Sequence, residues 1–193
     1  MIFLLLSACG LLHTKDTGEP VEAPPDSPAE SGGQESADPL ASLDPSVLPA
    51  GANPCREPVY AYVSEVVDGD TMWVHIGSTS EKVRFIGVDT PEIAHDTDPA
   101  DCYGDEAREF TRAALEGGHV WLSFDSECLD YYDRTLAYVS IGEGESGFFE
   151  RVLLEAGYAE ELGIEPNTTY EDTFKSDEAT ARAEGVGMWG ACR

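Results

Sequence analysis

Short apolar runs that alternate with polar residues recur along the chain after residue 58, and Gly- and Asp-rich turns separate them. Runs of about four to eight residues rich in Val, Ile, Tyr and Trp predict β-strands. Five strands are expected, at residues 60–67, 72–76, 82–88, 120–124 and 135–141. The Asp68-Gly69-Asp70 segment predicts the turn between the first two strands.

A helical period replaces this alternation in three other segments. Apolar residues recur at helical spacing in residues 105–115, and a Gly-Gly pair follows them. Residues 148–156 and 170–184 also place apolar residues on one helical face. Five short strands with a helix between the third and fourth predict an α+β fold. We expect a five-stranded β-barrel of the OB type with about three packed α-helices.

The composition changes before this predicted domain. Residues 1–9 form an apolar run that ends in Leu6-Ser7-Ala8-Cys9, which resembles the lipobox of bacterial lipoproteins. This resemblance implies an export signal and a lipid on Cys9 that holds the chain at the membrane of the cell envelope; the alternatives are ordinary secretion and a chance match. Residues 10–57 are rich in Pro, Glu, Ser and Asp, which predicts a disordered tether. The folded domain is then expected at residues 58–193, as a monomer.

Four cysteines are left when Cys9 is set aside, and an exported protein is expected to pair them as two disulfides. Three pairings are possible. We favour Cys55 with Cys192, which would join the two ends of the domain, and Cys102 with Cys128, which would tie two loops. A zinc site is the alternative, but the chain has no Cys-x-x-Cys spacing and its four histidines are scattered.

The chain carries 38 Asp and Glu against 11 Lys and Arg, a net charge of −27. The acidity is not confined to the tether, since 29 acidic and 9 basic residues follow residue 58. A charge of this size repels a polyanion, and salt screens the repulsion beyond about 8 Å at physiological ionic strength. A nucleic-acid ligand is therefore expected to bind weakly at low salt.

Two segments gather carboxylates and an arginine near the ends of predicted strands, Asp68-Gly-Asp-Thr71 and Arg84-Phe-Ile-Gly-Val-Asp-Thr-Pro-Glu92. Carboxylate and carbonyl oxygens bind hard cations such as Ca²⁺, and the planar arginine fork binds phosphate. Phosphodiester cleavage needs this combination, together with a base for the attacking water. Each segment alone also has a simpler interpretation as a hairpin turn, the start of a loop, or a surface ion pair.

Five short motifs follow one another along the domain: Val67-Asp-Gly-Asp-Thr71, Val83-Arg-Phe-Ile-Gly-Val-Asp-Thr-Pro-Glu92, Tyr103-Gly104, Asp133-Arg-Thr-Leu-Ala-Tyr138 and Pro166-Asn167. Their order and spacing resemble those of the staphylococcal-type thermonucleases, over about residues 59–189. The resemblance implies a calcium-dependent endonuclease that cleaves DNA and RNA, favours single strands, has little sequence preference and leaves 3′-phosphate ends.

The resemblance also assigns roles to individual residues. Asp70, Asp89 and the backbone carbonyl of Thr90 correspond to the calcium ligands of the family. Arg84 and Arg134 correspond to the two arginines that hold the phosphate, and Glu92 corresponds to the carboxylate that activates water. Replacing either arginine with alanine is expected to cost orders of magnitude in rate while the fold is kept.

The chain departs from the family in two places. Residues 160–165 lack the tyrosines that lie beside the nucleotide in the staphylococcal enzyme, so Tyr131, Tyr132 or Tyr170 either stack on bases or only pack in the protein. An Asp-rich loop with His95 replaces a basic loop. His95 either assists the leaving oxygen or is a bystander, and the acids of the loop are candidates for a second calcium site.

Two other functions fit part of the sequence. One is a catalytically inactive module of the same fold that binds nucleic acid or a protein partner at the cell surface. The other is a calcium-binding surface protein. The presence of both arginines together with Glu92 favours the enzyme, because a module that only binds has no chemical need for the complete set.

Overall fold

The computed structural model describes residues 38–94 and 98–192. The predicted signal segment, Cys9, His95 and most of the predicted tether lie outside these residues. Within the described part of the chain, no helix is both long and apolar enough to cross a membrane.

The described residues form both β-strands and α-helices. The strands are β1 (Val59–Val66), β2 (Thr71–Ile76), β3 (Thr79–Phe85), β4 (Gly87–Asp89), β5 (His119–Ser123), β6 (Thr135–Ser140) and β7 (Glu160–Leu162). The helices are α1 (Gly104–Leu115), α2 (Phe149–Glu155), α3 (Glu171–Glu184) and the short α4 (Met188–Ala191).

Five of the strands close into a barrel in the order β1-β2-β3-β6-β5. The pairs are antiparallel except β3 with β6, which run parallel and pair Arg84 with Leu136. Side chains with alternating burial on these strands fill the interior, including Val63, Val74 and Phe85. The predicted α+β fold, a five-stranded OB-type barrel with three packed helices, is confirmed.

The third predicted strand is wrong in one respect, because the chain bends within residues 82–88. Gly87 has φ +80°, and a Cβ at this position would lie 2.6 Å from the ring of Phe174. A residue other than glycine would therefore be strained here. The bend separates β3 from β4, which leaves the barrel and pairs with β7, so that Asp89 lies opposite Glu160.

The described end of the predicted tether, residues 38–57, packs against the domain. The indole Nε1 of Trp121 donates to the carbonyl of Leu40 at 2.8 Å, and the backbone N of Ala50 donates to the Tyr170 hydroxyl at 3.1 Å. Leu48 is buried. The folded domain therefore starts before Cys55. The composition predicted a start at residue 58, which is too late in the chain.

The four domain cysteines form two disulfides, but the favoured pairing is wrong: Cys55 bonds Cys128, and Cys102 bonds Cys192. Pairing of β1 with β5 is the reason for the first bond, since it brings the residues before β1 and after β5 to the same end of the barrel. The backbone N of Cys55 donates to the carbonyl of Asp125 at 2.7 Å on the same side. Cys192 therefore bonds the remaining cysteine, Cys102, in the loop before α1.

Glu150, in the first turn of α2, is a fully buried carboxyl group in the core. Its two carboxyl oxygens accept from the backbone N of Val139 at 3.0 and 3.2 Å. Burial raises the pKa of Glu150 well above its ordinary value of 4.5, because desolvation outweighs the hydrogen bonds from the backbone. At neutral pH the core therefore buries either a charged carboxylate or a protonated carboxylic acid at this position.

Glu150→Gln is expected to raise the free energy of unfolding at neutral pH by about 1–2 kcal/mol, because the amide keeps an acceptor for Val139 without carrying a charge. A carboxyl whose pKa is raised by folding stabilises the fold most at low pH, and the parent loses this stability as pH rises above about 4.5. The gain should therefore vanish near pH 4. Urea unfolding at pH 4 and pH 8 measures it. The exposed Glu155→Gln on the same helix is the control, expected to change stability by under about 0.5 kcal/mol; a gain independent of pH would contradict the assignment.

Candidate active site

Asp70 ends the turn between β1 and β2, and its carboxyl group is buried at the edge of the barrel. Oδ2 of Asp70 accepts from the backbone N of Thr90 at 2.8 Å and from the Thr90 hydroxyl at 3.1 Å. The same oxygen lies 2.9 Å from Nη1 of Arg84. This one carboxyl group therefore ties the start of β2 to the chain that follows β4.

Arg84, near the end of β3, holds the bend between β3 and β4. Its Nη1 donates to the carbonyl of Val88 at 2.7 Å and to that of Phe85 at 3.3 Å, and its Nη2 donates to Oδ1 of Asp89 at 2.7 Å. The side chain is 12% exposed. Arg84 thus contacts both carboxylates that the sequence predicts as calcium ligands, Asp70 and Asp89.

The charge on Asp70 is only partly compensated. Burial raises the pKa of Asp70 to about 7; Arg84 opposes the rise, Asp68 adds to it by repulsion, the Thr90 N–H opposes it and Asp89 adds to it. A second cation beside Asp70 would relieve this imbalance. The two carboxylates and the carbonyl of Thr90 are hard oxygen donors of the kind that Ca²⁺ prefers.

The carboxylates at this position are too few to enclose a metal ion by themselves. Among residues 38–94 and 98–192, no group of three or more His, Cys, Asp or Glu side chains is placed to hold one. Calcium accepts about six to eight oxygen ligands, so water and a substrate oxygen would have to complete the shell. The residues present fit a cation that is shared with a substrate.

Glu92 lies on the exposed loop that follows β4. Its carbonyl accepts from the backbone N of Asp101 at 2.9 Å, and its backbone N donates to Oδ2 of Asp101 at 3.4 Å. Glu92 lines a cavity of about 390 Å³ together with Asp89, Thr90 and Glu160. The candidate base therefore shares a cavity with two of the candidate calcium ligands.

Arg134 immediately precedes β6, at the end of a turn that begins near Asp130. Its Nε donates to Oδ2 of Asp130 at 2.6 Å, and its backbone N donates to Oδ1 at 2.9 Å. The guanidinium lies 5.5 Å from the ring centre of Tyr132. Because β3 pairs with β6, Arg134 lines the same cavity of about 580 Å³ as Arg84.

The six predicted site residues thus lie around two cavities. The 580 Å³ cavity contains both arginines, and the 390 Å³ cavity contains Glu92, Asp89 and Thr90. The Arg84–Asp89 ion pair connects the two cavities. Asp70 contacts Arg84 and Thr90, one from each cavity.

The structure separates the three tyrosines that were candidates for base stacking. Tyr131 is 93% exposed at the cavity of the arginines, and Tyr132 is exposed beside Arg134. Tyr170 instead packs against Phe148 and Phe174 in the core, so its packing role is the one that the structure supports.

The sequence motifs do not include the neighbours that hold the site. Asp130 fixes Arg134, and Asp101 fixes the backbone of Glu92. Leu162 and Ile164 form an aliphatic wall of the cavity that contains the arginines. The spacing of four residues between Asp130 and Arg134 is a signal that could have identified Asp130. No such signal exists for Asp101, because its contact with Glu92 depends on the path of the loop between them.

Comparisons with known proteins agree with this fold. Residues 82–191 match the family described as "Staphylococcal nuclease homologue". The chain is 34% identical over 140 residues to the thermonuclease of Staphylococcus hyicus, which covers 72% of this chain and 80% of the relative. It is 35% identical over 127 residues to the thermonuclease of Staphylococcus intermedius, covering 66% and 74%. The SPbeta prophage-derived endonuclease YokF of Bacillus subtilis is 35% identical over 136 residues, which covers 69% of this chain and 45% of the relative. The chain belongs to the family of staphylococcal nuclease homologues.

Proposed function

We propose that this chain is a calcium-dependent phosphodiester hydrolase that cleaves DNA and RNA internally, favours single strands and leaves 3′-phosphate ends. The observation that carries the proposal is the cluster of Asp70, Arg84, Asp89 and Thr90, which lies between a cavity with a second arginine and a cavity with Glu92. Relatives that are named as thermonucleases and endonucleases support it.

Asp70, Asp89 and the Thr90 carbonyl would hold the calcium ion, which when bound supplies positive charge to a phosphoryl oxygen. Arg84 and Arg134 bind the phosphate between them, since both guanidinium groups line one cavity. Guanidinium stays charged at physiological pH and presents paired donors to two phosphate oxygens. Both arginines also stabilise the negative charge that develops in the transition state.

Glu92 orients the attacking water and accepts a proton from it. The water oxygen bonds to phosphorus as the bond from phosphorus to the 5′ oxygen breaks. The 5′ oxygen leaves with a proton from solvent, so the products are a 3′-phosphate and a 5′-hydroxyl. The Asp101 contacts hold the backbone of Glu92 in the cavity where this step takes place.

One observation favours the alternative, a catalytically inactive module of the same fold that binds a protein partner, because it gives both arginines a structural role. Arg84 and Arg134 are both ion-paired with acidic side chains, and the chain carries a net charge of −27. Phosphate must displace these acids before either arginine can bind it. Turnover distinguishes the two functions, because the module would bind without cleaving.

We also propose that the chain is exported, with a lipid on Cys9 as its membrane anchor, and that it acts as a monomer. The two disulfides support export, since such bonds persist in oxidising compartments. Acyl labelling that persists in Cys9→Ala would contradict the anchor.

The experiment that tests the proposed function is cleavage of single-stranded DNA by the disulfide-bonded protein, with calcium and with an excess of chelator, over a series of salt concentrations. We expect products with 3′-phosphate ends in calcium and a loss of at least about a hundredfold in rate with chelator, since the metal supplies several kcal/mol to the transition state. Circular dichroism checks that the protein stays folded. Absence of turnover at every salt concentration, from folded protein, would favour the binding module.

A further inference from the structure

The backbone of Glu92 is held by the part of its loop that returns to α1. The backbone N of Asp101 donates to the carbonyl of Glu92 at 2.9 Å. The backbone N of Glu92 donates to Oδ2 of Asp101 at 3.4 Å. Gly104, the first residue of α1, lies against the same carbonyl, because a Cβ at Gly104 would be 2.2 Å from it. Residues 101–104 are therefore one attachment of the Glu92 backbone, in addition to the chain that leads into it from β4.

The chain end fixes those residues through a covalent bond. Cys102, next to Asp101, is bonded to Cys192, whose backbone N donates to the carbonyl of Met188 at 2.8 Å. The backbone N of Met188 in turn donates to the carbonyl of Gly157 at 2.9 Å, so α4 is attached to the chain between α2 and β7. Cys102, Cys192 and Met188 line the cavity that contains Glu92.

The helix at the chain end is held firmly on its other side as well. Trp189 in α4 lies under the guanidinium of Arg182, 3.7 Å from it to the ring centre, and Arg182 belongs to the last turn of α3. The disulfide thus connects the loop of Glu92 to a fixed part of the domain and not to a loose terminus.

We propose that the Cys102–Cys192 disulfide positions Glu92 for catalysis, so that its reduction lowers turnover reversibly while the phosphate and calcium sites stay intact. This inference rests on the proposed role of Glu92. The calcium ligands have their own anchors in the contacts of Asp70 with Thr90 and Arg84, which do not pass through the disulfide. A misplacement of about 1 Å is enough to cost about a hundredfold in rate.

The second disulfide offers a matched control. Cys55–Cys128 closes a separation of 73 residues and Cys102–Cys192 one of 90, so the chain-entropy account predicts nearly equal losses of stability when either is removed. Cys128 precedes the turn of Arg134, but hydrogen bonds hold that turn, from Leu136 N to Cys128 O at 2.8 Å and from Asp130 N to Arg134 O at 3.0 Å. Removal of Cys55–Cys128 is therefore expected to spare the site.

The test compares Cys102→Ser/Cys192→Ser with Cys55→Ser/Cys128→Ser, both in the full chain and well below both melting temperatures. We expect the first variant to lose about ten- to a hundredfold in kcat on single-stranded DNA, with KM and the calcium dissociation constant within about threefold of the parent. The second variant should keep kcat within about threefold of the parent value. Its melting temperature should nevertheless fall by about as much as that of the first variant. Equal losses of kcat in both variants, or none in either, would overturn the positioning role.

Reduction and reoxidation of Cys55→Ser/Cys128→Ser give a second route that does not depend on the folding of the first variant. Dithiothreitol should lower kcat in this protein, and reoxidation should restore it; a kcat that stays constant through reduction, with the thiols shown to be free, would refute the inference. Glu92→Gln in the parent separates the two proposals. Loss of turnover in Glu92→Gln with full turnover in Cys102→Ser/Cys192→Ser removes the positioning role alone, whereas parental turnover in Glu92→Gln removes the proposed base.

Discussion

Glu92→Gln is expected to lower the turnover number on single-stranded DNA by about 10²–10⁴-fold, the range that a positioned general base contributes. The amide keeps the size and shape of the side chain but does not take a proton from water. The backbone N and the side chain of Asp101 both bond the backbone of Glu92, so these hydrogen bonds survive the substitution. Steady-state kinetics with calcium titrations at each DNA concentration measure the effect, and calcium binding should change by less than about threefold.

Glu160→Gln provides the control for charge in the same cavity. Glu160 lies opposite Asp89 in the β4–β7 pair and lines the cavity with Glu92. Its substitution removes the same unit of negative charge from the same space, while the hydrogen bonds between Asp101 and the backbone of Glu92 stay in place. We expect turnover within about threefold of the parent. Equal effects of the two substitutions would mean that the charge of the cavity matters and that Glu92 has no special role.

Removal of the two arginines is expected to give different results, although both substitutions should cost orders of magnitude in turnover. Arg134 is 28% exposed and pairs only with Asp130 among the described ion pairs, so Arg134→Ala should leave the melting temperature within a few degrees of the parent. Arg84 is nearly buried and forms an ion pair with Asp70, whose side chain is 6% exposed. Loss of one partner from a buried pair costs about 3–5 kcal/mol, so Arg84→Ala should lose stability as well. The structure thus revises the expectation that the fold tolerates both changes equally.

Lysine at the two positions separates charge from geometry. Arg84→Lys keeps a cation near Asp70 and should recover part of the stability, but a single ammonium group does not reproduce contacts to Val88, Asp70 and Asp89 together. Turnover should therefore stay low in both lysine variants. Thermal unfolding and kcat on the four variants test this; near-parental turnover in Arg134→Ala, or an unchanged melting temperature in Arg84→Ala, would contradict the assignments.

Local sequence patterns were sufficient for the barrel and failed where long-range contacts decide the structure. The five barrel strands alternate clearly, and their positions were predicted to within a few residues. Residues 87–89 continue an apolar alternation, so the bend at Gly87 was missed. The ring of Phe174, from a distant helix, packs against this glycine, and such a long-range contact has no local signal. Residues 160–162, Glu-Glu-Leu, have no strand signal and form β7 only because β4 lies beside them.

The disulfides and the chain before β1 show the same limit. Loop ends do not reveal which cysteines meet, since that depends on the β1–β5 pairing and on the path of the chain after α3. The Pro-rich composition of residues 38–57 predicts disorder, but three well-placed groups, the Leu40 carbonyl, the Ala50 N–H and the Leu48 side chain, attach this segment to the barrel. Composition averages over a segment and does not detect such isolated contacts.

The candidate site was predicted residue by residue from the family motifs, and the structure places these residues around connected cavities. The sequence did not predict that Arg84 pairs with both calcium-ligand candidates, because the contact needs the bend at Gly87 to bring Asp89 back towards β3. Nor did it predict the aliphatic wall of Leu162 and Ile164, which lies on the unpredicted strand β7 and the residues after it.

The two disulfides enclose overlapping stretches of the chain, since Cys102 lies between Cys55 and Cys128, and Cys128 lies between Cys102 and Cys192. A single cut by a protease anywhere between Cys55 and Cys192 therefore leaves the two fragments joined by at least one covalent bridge. Pairing of Cys55 with Cys102 and of Cys128 with Cys192 would lack this property, because one cut between Cys102 and Cys128 would separate the halves. A protease must cut at least twice between Cys55 and Cys192 before any piece of this stretch can diffuse away, so a molecule cut once there keeps both arginines and Glu92 in one covalent unit.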